Sequence, residues 1–589
     1  MKSVRFHKSP LLAIQLPAWR SRLVLCVLFI AFIALLLRAI WLQGVSTEFL
    51  QTKGELRYAT TLKMLATRGK IVDRNGALLA SSLPAWAIVA HPEEVEMSRA
   101  DVANLARALD MPVAEVQKKL DDKVRNFVYL KRQVAPRAAE AIAKMELPGI
   151  EKRKEYRRIY PQNETMAHLV GFTNVEDAGQ EGIELAWQQA LAGQAGSRRV
   201  IRNRLGQPII EDPGGTRSPH DGHDLTLSID SNIQFIAFNQ LKAAVEAYRA
   251  KAGAIIVIDV RSGEVLALAN LPSYNPNERG ILSGAQLRNR VLTDTYEPGS
   301  TLKPFTIALA LERGVVKPDT IVQTAPGKLT IGKATISDSH AHGALTVEEI
   351  IKVSSNIGTA KVGLRMQPQQ MWEMYTAAGF GQAPKWGFPG AVAGRLRPYK
   401  NWRPIEQATM AYGYGISVSL IQIARAYTMF ARDGEIIPLT FFKSANGKDR
   451  NDVYPAAPVR GTQVIAPAVA RQMRHMLEMA AGPGGTAPKA QVMGYRVAGK
   501  TGTAHKLTGR SYDGNRYVGS FVGFAPVSNP RIVVAVMIDE PSTGIYYGGD
   551  VAAPVFSAVV GGSLRALGVE PDSAVKSLII PADPLKETL

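Results

Sequence analysis

Residues 23–37 form an unbroken apolar run, which continues past Arg38 as Ala39-Ile40-Trp41-Leu42. Wound as a helix at about 1.5 Å per residue, the 23–42 stretch spans roughly 30 Å, the thickness of a bilayer core. Arg38 lies near its far end, where a long side chain can reach the headgroups, and Trp41 suits an interfacial belt. Lys2, Arg5, Lys8, Arg20 and Arg22 precede the run with no acidic residue among them, which predicts a cytoplasmic N-terminus. No convincing small-x-small cleavage site follows, so the pattern predicts an uncleaved anchor. Everything past about residue 44 is then expected outside the cytoplasmic membrane, on the periplasmic side in a cell with an outer membrane.

Downstream the pattern is mixed up to about residue 220. Residues 68–80 read as two short strands around an Asn75-Gly76 turn, and helical periodicity dominates from Arg99 to Met145. Breakers at Asp212-Pro213-Gly214-Gly215 and at Asp221-Gly222 mark a boundary. Beyond it the pattern predicts a helix near 232–248. An apolar strand at 254–259 then turns through Arg261-Ser262-Gly263 into a second at 264–269. Helices fill the middle. Strands return at 495–503, 517–525 and 532–539, and a helix closes the pattern at 554–567. Strands at both ends with helices between predict an α+β domain built on an antiparallel sheet flanked by helices. The expected organisation is a tail at 1–22, an anchor at 23–43, a mixed α/β domain at 44–220, the α+β domain at 221–575 and a tail at 576–589.

Composition narrows the function classes. With 46% hydrophobic and 21% charged residues, the 589-residue chain is ordinary folded protein. Its net charge of +19 admits a polyanionic partner. No zinc-finger spacing, RNP-like motif or aromatic-interleaved basic block is present, so a solvated basic surface is expected and no nucleic acid. The lone cysteine, Cys26, lies in the apolar run, which excludes an internal disulfide and a cysteine catalyst in the main domain. His340-x-His342 and His220-x-x-His223 lack an obvious third ligand, so neither a metal nor another cofactor is expected.

Chemistry concentrates around Tyr296-Glu297-Pro298-Gly299-Ser300-Thr301-Leu302-Lys303-Pro304. Pro298-Gly299 predicts a turn and the apolar residues after Pro304 a helix, placing Ser300 at a helix start with Lys303 one turn on. A serine beside a neutral lysine is an activated nucleophile. Ser-x-x-Lys alone is weak, and it recurs at Ser573–Lys576 without a preceding turn. Downstream stand Ser354-Ser355-Asn356 and Lys500-Thr501-Gly502-Thr503. Ser-x-Asn also recurs, at Ser273-Tyr274-Asn275 and Ser444-Ala445-Asn446, whereas Lys-Thr-Gly occurs once. The three in this order form the motif set of penicillin-binding proteins and serine β-lactamases.

Each element has a physical task in that chemistry. As a base, Lys303 must lose its proton near neutrality although a free lysine titrates near 10.4, a cost of roughly 4 kcal/mol. A second cation, Lys500, at about 4 Å in an effective dielectric near 20 supplies an energy of that order. Ser354 is suited to relay a proton to a leaving amine, and Asn356 to hold a substrate backbone. Lys500, Thr501 and Thr503 offer a cation and hydroxyls to a terminal carboxylate. The backbone N–H groups of Ser300 and Thr503 suit an oxyanion hole, and Gly502 admits close approach to the strand.

The resemblance extends further. Tyr296–Ser300, Ser354-Ser355-Asn356-Ile357-Gly358, Tyr412-Gly413-Tyr414-Gly415, Lys500-Thr501-Gly502-Thr503-Ala504-His505-Lys506 and Tyr546-Tyr547-Gly548-Gly549 resemble a class B penicillin-binding protein. The 68–80 segment and Gly182-Ile183-Glu184 look like that family's N-terminal pedestal, a dimerisation-type domain. The chain is most similar to the division-specific members. The resemblance implies that Ser300 is the acyl-accepting nucleophile, Lys303 its base, Ser354 and Asn356 the second motif, and Lys500–Thr503 the third. The turn at 412–415 either shapes the cleft or packs on the core. The implied activity is D,D-transpeptidation of peptidoglycan stem peptides ending in D-Ala-D-Ala, with acylation by β-lactam antibiotics. Implied partners are a membrane glycosyltransferase of the FtsW type and other division proteins.

Competing readings differ in identifiable ways. Residues 221–589 contain no Glu-x-x-x-Asn, the arrangement that supplies a class A β-lactamase with its deacylation base. A D,D-carboxypeptidase uses the same residues with water as acceptor, and an elongation-specific transpeptidase shares them all. A different class again is an acylatable antibiotic sensor or a membrane-anchored non-catalytic scaffold; a sensor needs a cytoplasmic output domain, and the expected cytoplasmic tail is only about 22 residues.

Overall fold

The computed structural model describes residues 17–49, 59–202, 208–211, 216–278, 280–384, 387–443, 460–508 and 511–574. Lys2, Arg5 and Lys8 of the basic N-terminus, the breakers at 212–215, Ser444-Ala445-Asn446 and Lys576 lie outside the described residues. The chain divides into two compact units, Met1–Ala66 with Gln194–His220, and Thr67–Gly193 with Asp221–Leu589. Residues 44–220 contribute to both.

In the first unit the apolar run is a helix, Ala18–Ile40, prolonged by a wider turn at Trp41–Val45. It holds no buried residue, as a helix made to face lipid requires. The same unit contains a three-stranded antiparallel sheet of Ala59–Met64, Gly196–Arg202 and Pro208–Glu211, with Gly196–Arg202 central.

The second unit begins with the predicted hairpin. Its strands are Ile71–Val72 and Leu78–Ala90, and the Asp73 carboxylate holds the turn by accepting from the Asn75 and Ala77 amides. The second strand is 13 residues long, not short, because Ile150–Ile159 pairs along one side and Val128–Val134 along the other. The 99–145 stretch also departs from a purely helical reading. Helices Arg99–Leu109, Val113–Leu120 and Pro136–Ala143 are interrupted by the strand Val128–Val134, whose alternation buries Leu130 and Val134. Charged residues here act structurally. Glu184 bonds Arg68 at 2.6 Å and Arg158 at 2.7 Å, and all three side chains are fully buried.

Polar contacts fasten this portion to the rest of the unit. Tyr160 N–H donates to Asn277, the Tyr274 hydroxyl to the Ala167 carbonyl, and Ser231 N–H to the Asp73 carboxylate.

The remainder is the α+β domain. Helix α1 (Ser231–Ala247) leads into β1 (Ala252–Asp259) and β2 (Val265–Leu271). The helical middle includes α2 (Lys303–Glu312), α3 (Val347–Val353), α4 (Asn356–Gly363), α5 (Leu420–Ala431) and α6 (Pro467–Ala481). Strands β3 (Ala498–Thr508), β4 (Ser511–Ala525) and β5 (Ile532–Asp539) and helix α7 (Ala553–Ala566) close it. The sheet runs β2-β1-β5-β4-β3, antiparallel throughout, with β3 at its edge.

Both faces of the sheet are covered, so β1 and β5 are buried without a break and apolar up to their terminal Asp259 and Asp539. Ile256, Ile258, Val533 and Ala535 pack with α2 and α5, whereas Ile255, Val257, Val534 and Val536 pack with α1 and α7. Helix α2 is buried nearly all round, which explains the apolar residues on every side of it.

Candidate active site

The sequence around Ser300 folds as Pro298-Gly299 predicts, with one difference. Gly299–Leu302 makes a single tight 3-10 turn, and the α-helix proper starts at Lys303 with Pro304 in its first turn, where no amide is needed. The turn is held internally by Thr301 Oγ1 donating to the Pro298 carbonyl and from behind by the Tyr427 hydroxyl donating to the Thr301 carbonyl. Ser300 is nearly buried and Lys303 fully so.

Lys303 reaches across to the second motif. Its Nζ lies 3.1 Å from Ser354 Oγ and also donates to the Ser354 carbonyl. Ser354 caps the C-terminus of α3 in the left-handed conformation, φ 63°, which is rare for a residue with a Cβ. That kink separates α3 from α4 and turns both oxygens of Ser354 to the same amine. Asn356 is the first residue of α4. Its Nδ2 donates one proton to the Ser337 carbonyl at 3.2 Å.

The third motif lies on β3, the edge of the sheet, and alternation divides it between two faces. Lys500 and Gly502 share one face. A Cβ on Gly502 would come within 2.5 Å of Ser520 Oγ, 2.9 Å of Thr301 Cγ2 and 3.0 Å of the Pro298 carbonyl. The missing side chain of Gly502 lets the Ser300 turn lie against the strand. Thr501 and Thr503 share the opposite face. Thr501 Oγ1 receives Lys500 Nζ at 3.1 Å and sits 2.8 Å from Thr486 Oγ1. Thr503 Oγ1 accepts from the Gly548 amide at 3.0 Å. The structure thus joins Lys303 to Ser354 directly and seats the Ser300 turn on β3.

The 412–415 turn clasps the Ser300 turn. Gly299 N–H donates to the Gly413 carbonyl, and Gly415 N–H donates to Glu297 Oε1 at 2.7 Å. Gly413 has φ 96°, and a Cβ there would lie 2.0 Å from the Gly299 carbonyl. Tyr412 packs with Ile336, Ile357 and Ala408 in a small core of its own. Burial above all, with Asp338 and Glu297 nearby, pushes its phenol up. At the far end of β3, Lys506 pairs with Asp539 and Glu540. Burial opposes its charge, but these carboxylates outweigh that and raise its pKa, so Lys506 is a fixed cation tying β3 to the end of β5.

Known proteins resemble the chain along its length. The penicillin-binding protein transpeptidase domain matches residues 253–561, and the penicillin-binding protein dimerisation domain matches 63–227. The chain is 41% identical over 555 residues to the probable peptidoglycan D,D-transpeptidase PenA of Neisseria gonorrhoeae, covering 94% of this chain and 93% of that one. The chain belongs to the class B penicillin-binding proteins. It is also 39% identical over 562 residues to the peptidoglycan D,D-transpeptidase FtsI of Escherichia coli K12, covering 94% of this chain and 93% of that protein. The apo transpeptidase domain of Burkholderia pseudomallei penicillin-binding protein 3 matches at 55% identity and a TM-score of 0.53, over 59% of this chain and 98% of that one.

Three residues of this penicillin-binding protein that support the motifs escaped the sequence reading. Glu297 fixes the 412–415 turn, Thr486 contacts Thr501, and Asp338 holds the start of α4. Only Glu297 lies within a motif. The other two are ordinary polar residues until the fold brings them there.

Proposed function

We propose that this protein is the serine D,D-transpeptidase that cross-links peptidoglycan stem peptides at the division septum, with Ser300 as nucleophile. The observation that carries the reading is the Lys303–Ser354 contact beside the turn that packs on β3. In the reaction, Ser300 Oγ attacks the carbonyl of the penultimate D-Ala and passes its proton to a neutral Lys303. Complete burial of Lys303 strips away the water that would stabilise an ammonium. The oxyanion is received by the N–H groups of Ser300 and Thr503. Ser354 hands the proton to the departing D-Ala amine, the C–N bond breaks, and a Ser300 ester remains. An amine from a second stem peptide then attacks the ester and regenerates the serine. The substrate's terminal carboxylate is held by the Thr503 and Thr501 hydroxyls and the charge of Lys500, and Asn356 borders the peptide with its amide oxygen. A β-lactam enters as a D-Ala-D-Ala mimic and stops at the ester.

The helix Ala18–Val45 anchors the protein by a single span, and the basic residues before it favour a cytoplasmic N-terminus and a periplasmic catalytic domain in the inner membrane. Similarity to FtsI and PenA supports the septal role, in which a membrane glycosyltransferase of the FtsW type supplies new glycan to this enzyme. Depletion in the source cell tests that role. Filaments are expected, whereas round, widened cells would assign the protein to elongation. Release of D-Ala with formation of a cross-linked dimer from synthetic stem peptides is expected of the purified enzyme. Release of D-Ala without dimer would make it a carboxypeptidase.

A further inference from the structure

One carboxylate outside the three motifs grips the second of them. Asp338 follows the strand Ala334–Ser337 and lies 17–19 residues before its partners. Its Oδ2 accepts from Ser355 Oγ at 2.6 Å, and its Oδ1 accepts from the Asn356 and Ile357 amides at 2.7 and 3.0 Å. Ser355 Oγ in turn accepts from the Gly358 amide at 2.9 Å. Between them the two side chains satisfy the first three amides of α4, a place where the helix dipole favours a negative charge.

The consequence falls on Ser354. Its left-handed backbone is strained for a residue with a Cβ and persists only where its surroundings hold it. On one side α3 holds it, because the Ser354 and Ser355 amides both donate to the Ile350 carbonyl. On the other side the hold is Asp338, through Ser355 and Asn356. The neighbouring Ser337 carbonyl binds Asn356 Nδ2, so one strand end fixes the backbone and the side chain of the motif. Ile336 of the same strand packs against Ile357 and Tyr412, which seats that end firmly.

We propose that Asp338 is a positioning residue for acyl transfer, holding Ser354 where Lys303 can reach both of its oxygens. The inference rests on the reading of Ser300, Lys303 and Ser354 given above. Asp338 touches no reacting atom and acts through the geometry of Ser354 and Asn356. Asparagine at this position keeps the shape but replaces one acceptor oxygen with a donor that faces other donors.

The test is acylation of the detergent-solubilised full-length protein by a fluorescent penicillin, separating noncovalent binding from the chemical step. Wild type, D338N, S355A and the double variant are compared, with Tm and the labelled peptide recorded for each. In D338N the chemical step is expected to slow at least tenfold while noncovalent binding stays within threefold and Ser300 remains the labelled residue. S355A is expected to slow less, and the double variant no more than D338N. A chemical step in D338N within twofold of wild type overturns the proposal. So does a loss that merely tracks a lowered fraction of folded protein. If D338N does not fold, S355A decides: an unchanged chemical step there overturns the proposal equally. Failure of the wild type to be labelled at Ser300 would instead defeat the underlying reading of the site.

Discussion

The amine of Lys303 lies 3.1 Å from the hydroxyl of Ser354, 51 residues along the chain, and bonds its carbonyl as well. The first residue of α2 and the cap residue of α3 thus share a hydrogen-bonded contact next to the turn that carries Ser300. If Lys303 is the base and Lys500 keeps the site cationic, the two lysines fail differently. Lys303→Ala should lower penicillin acylation by at least about 10²-fold with noncovalent binding preserved, the size expected for loss of a general base. Lys500→Ala should weaken both steps, for penicillin and for a D-Ala-D-Ala peptide alike. Identical profiles for the two variants would remove the distinction.

Ser354 separates conformation from chemistry. Glycine tolerates φ 63° without strain, whereas alanine keeps the strain and loses the hydroxyl. Ser354→Gly should therefore be more stable than Ser354→Ala by about 1 kcal/mol, seen in denaturant unfolding. Both should acylate equally slowly. Wild-type acylation by Ser354→Ala would show that the hydroxyl carries no proton.

Gly413 tests the clasp on the nucleophile turn. With φ 96° and the Gly299 carbonyl 2.0 Å from where a Cβ would lie, no side chain fits unless the turn moves. Gly413→Ala should cost about 2 kcal/mol or more in stability and displace Ser300 enough to abolish labelling at wild-type rates. An alanine variant with unaltered Tm and acylation would show the clasp to be loose.

Glu540 gives a pH signature. Burial opposes its charge, but hydrogen bonds from Arg516, Lys506 and Lys251 outweigh it and hold the carboxyl at about 2, against an ordinary value of 4.5. The folded-state value is depressed, so the stabilisation is complete above 4.5 and is lost as the pH falls through 2. Glu540→Gln should cost about 1–2 kcal/mol at pH 7 after allowance for solvent screening. Its Tm should fall less steeply than that of wild type between pH 4.5 and 2.5. Parallel curves would contradict the assignment.

Much of this was legible along the chain because it depends on local pattern. The apolar run, the sheet strands β1 and β5 and the helix after Pro304 follow from periodicity and punctuation within a dozen residues. The strand Val128–Val134 did not, because Lys131-Arg132-Gln133 interrupts its alternation between helices of clear amphipathic period. The motifs announced Ser300, Lys303, Ser354 and Lys500, but not what supports them. Asp338 meets Ser355 only because a hairpin folds back on α4, and Thr486 meets Thr501 only because α6 packs beside β3. Gly502 was legible as a close-approach position while the identity of the approaching group was not.

The central claim is that Ser300 is the acyl-accepting nucleophile. Intact-mass spectrometry of the protein after exposure to penicillin, followed by peptide mapping, tests it most directly. The account predicts one adduct of the mass of the intact antibiotic, on the peptide containing Ser300, and none in Ser300→Ala. An adduct on another serine, or labelling that survives Ser300→Ala, would contradict it.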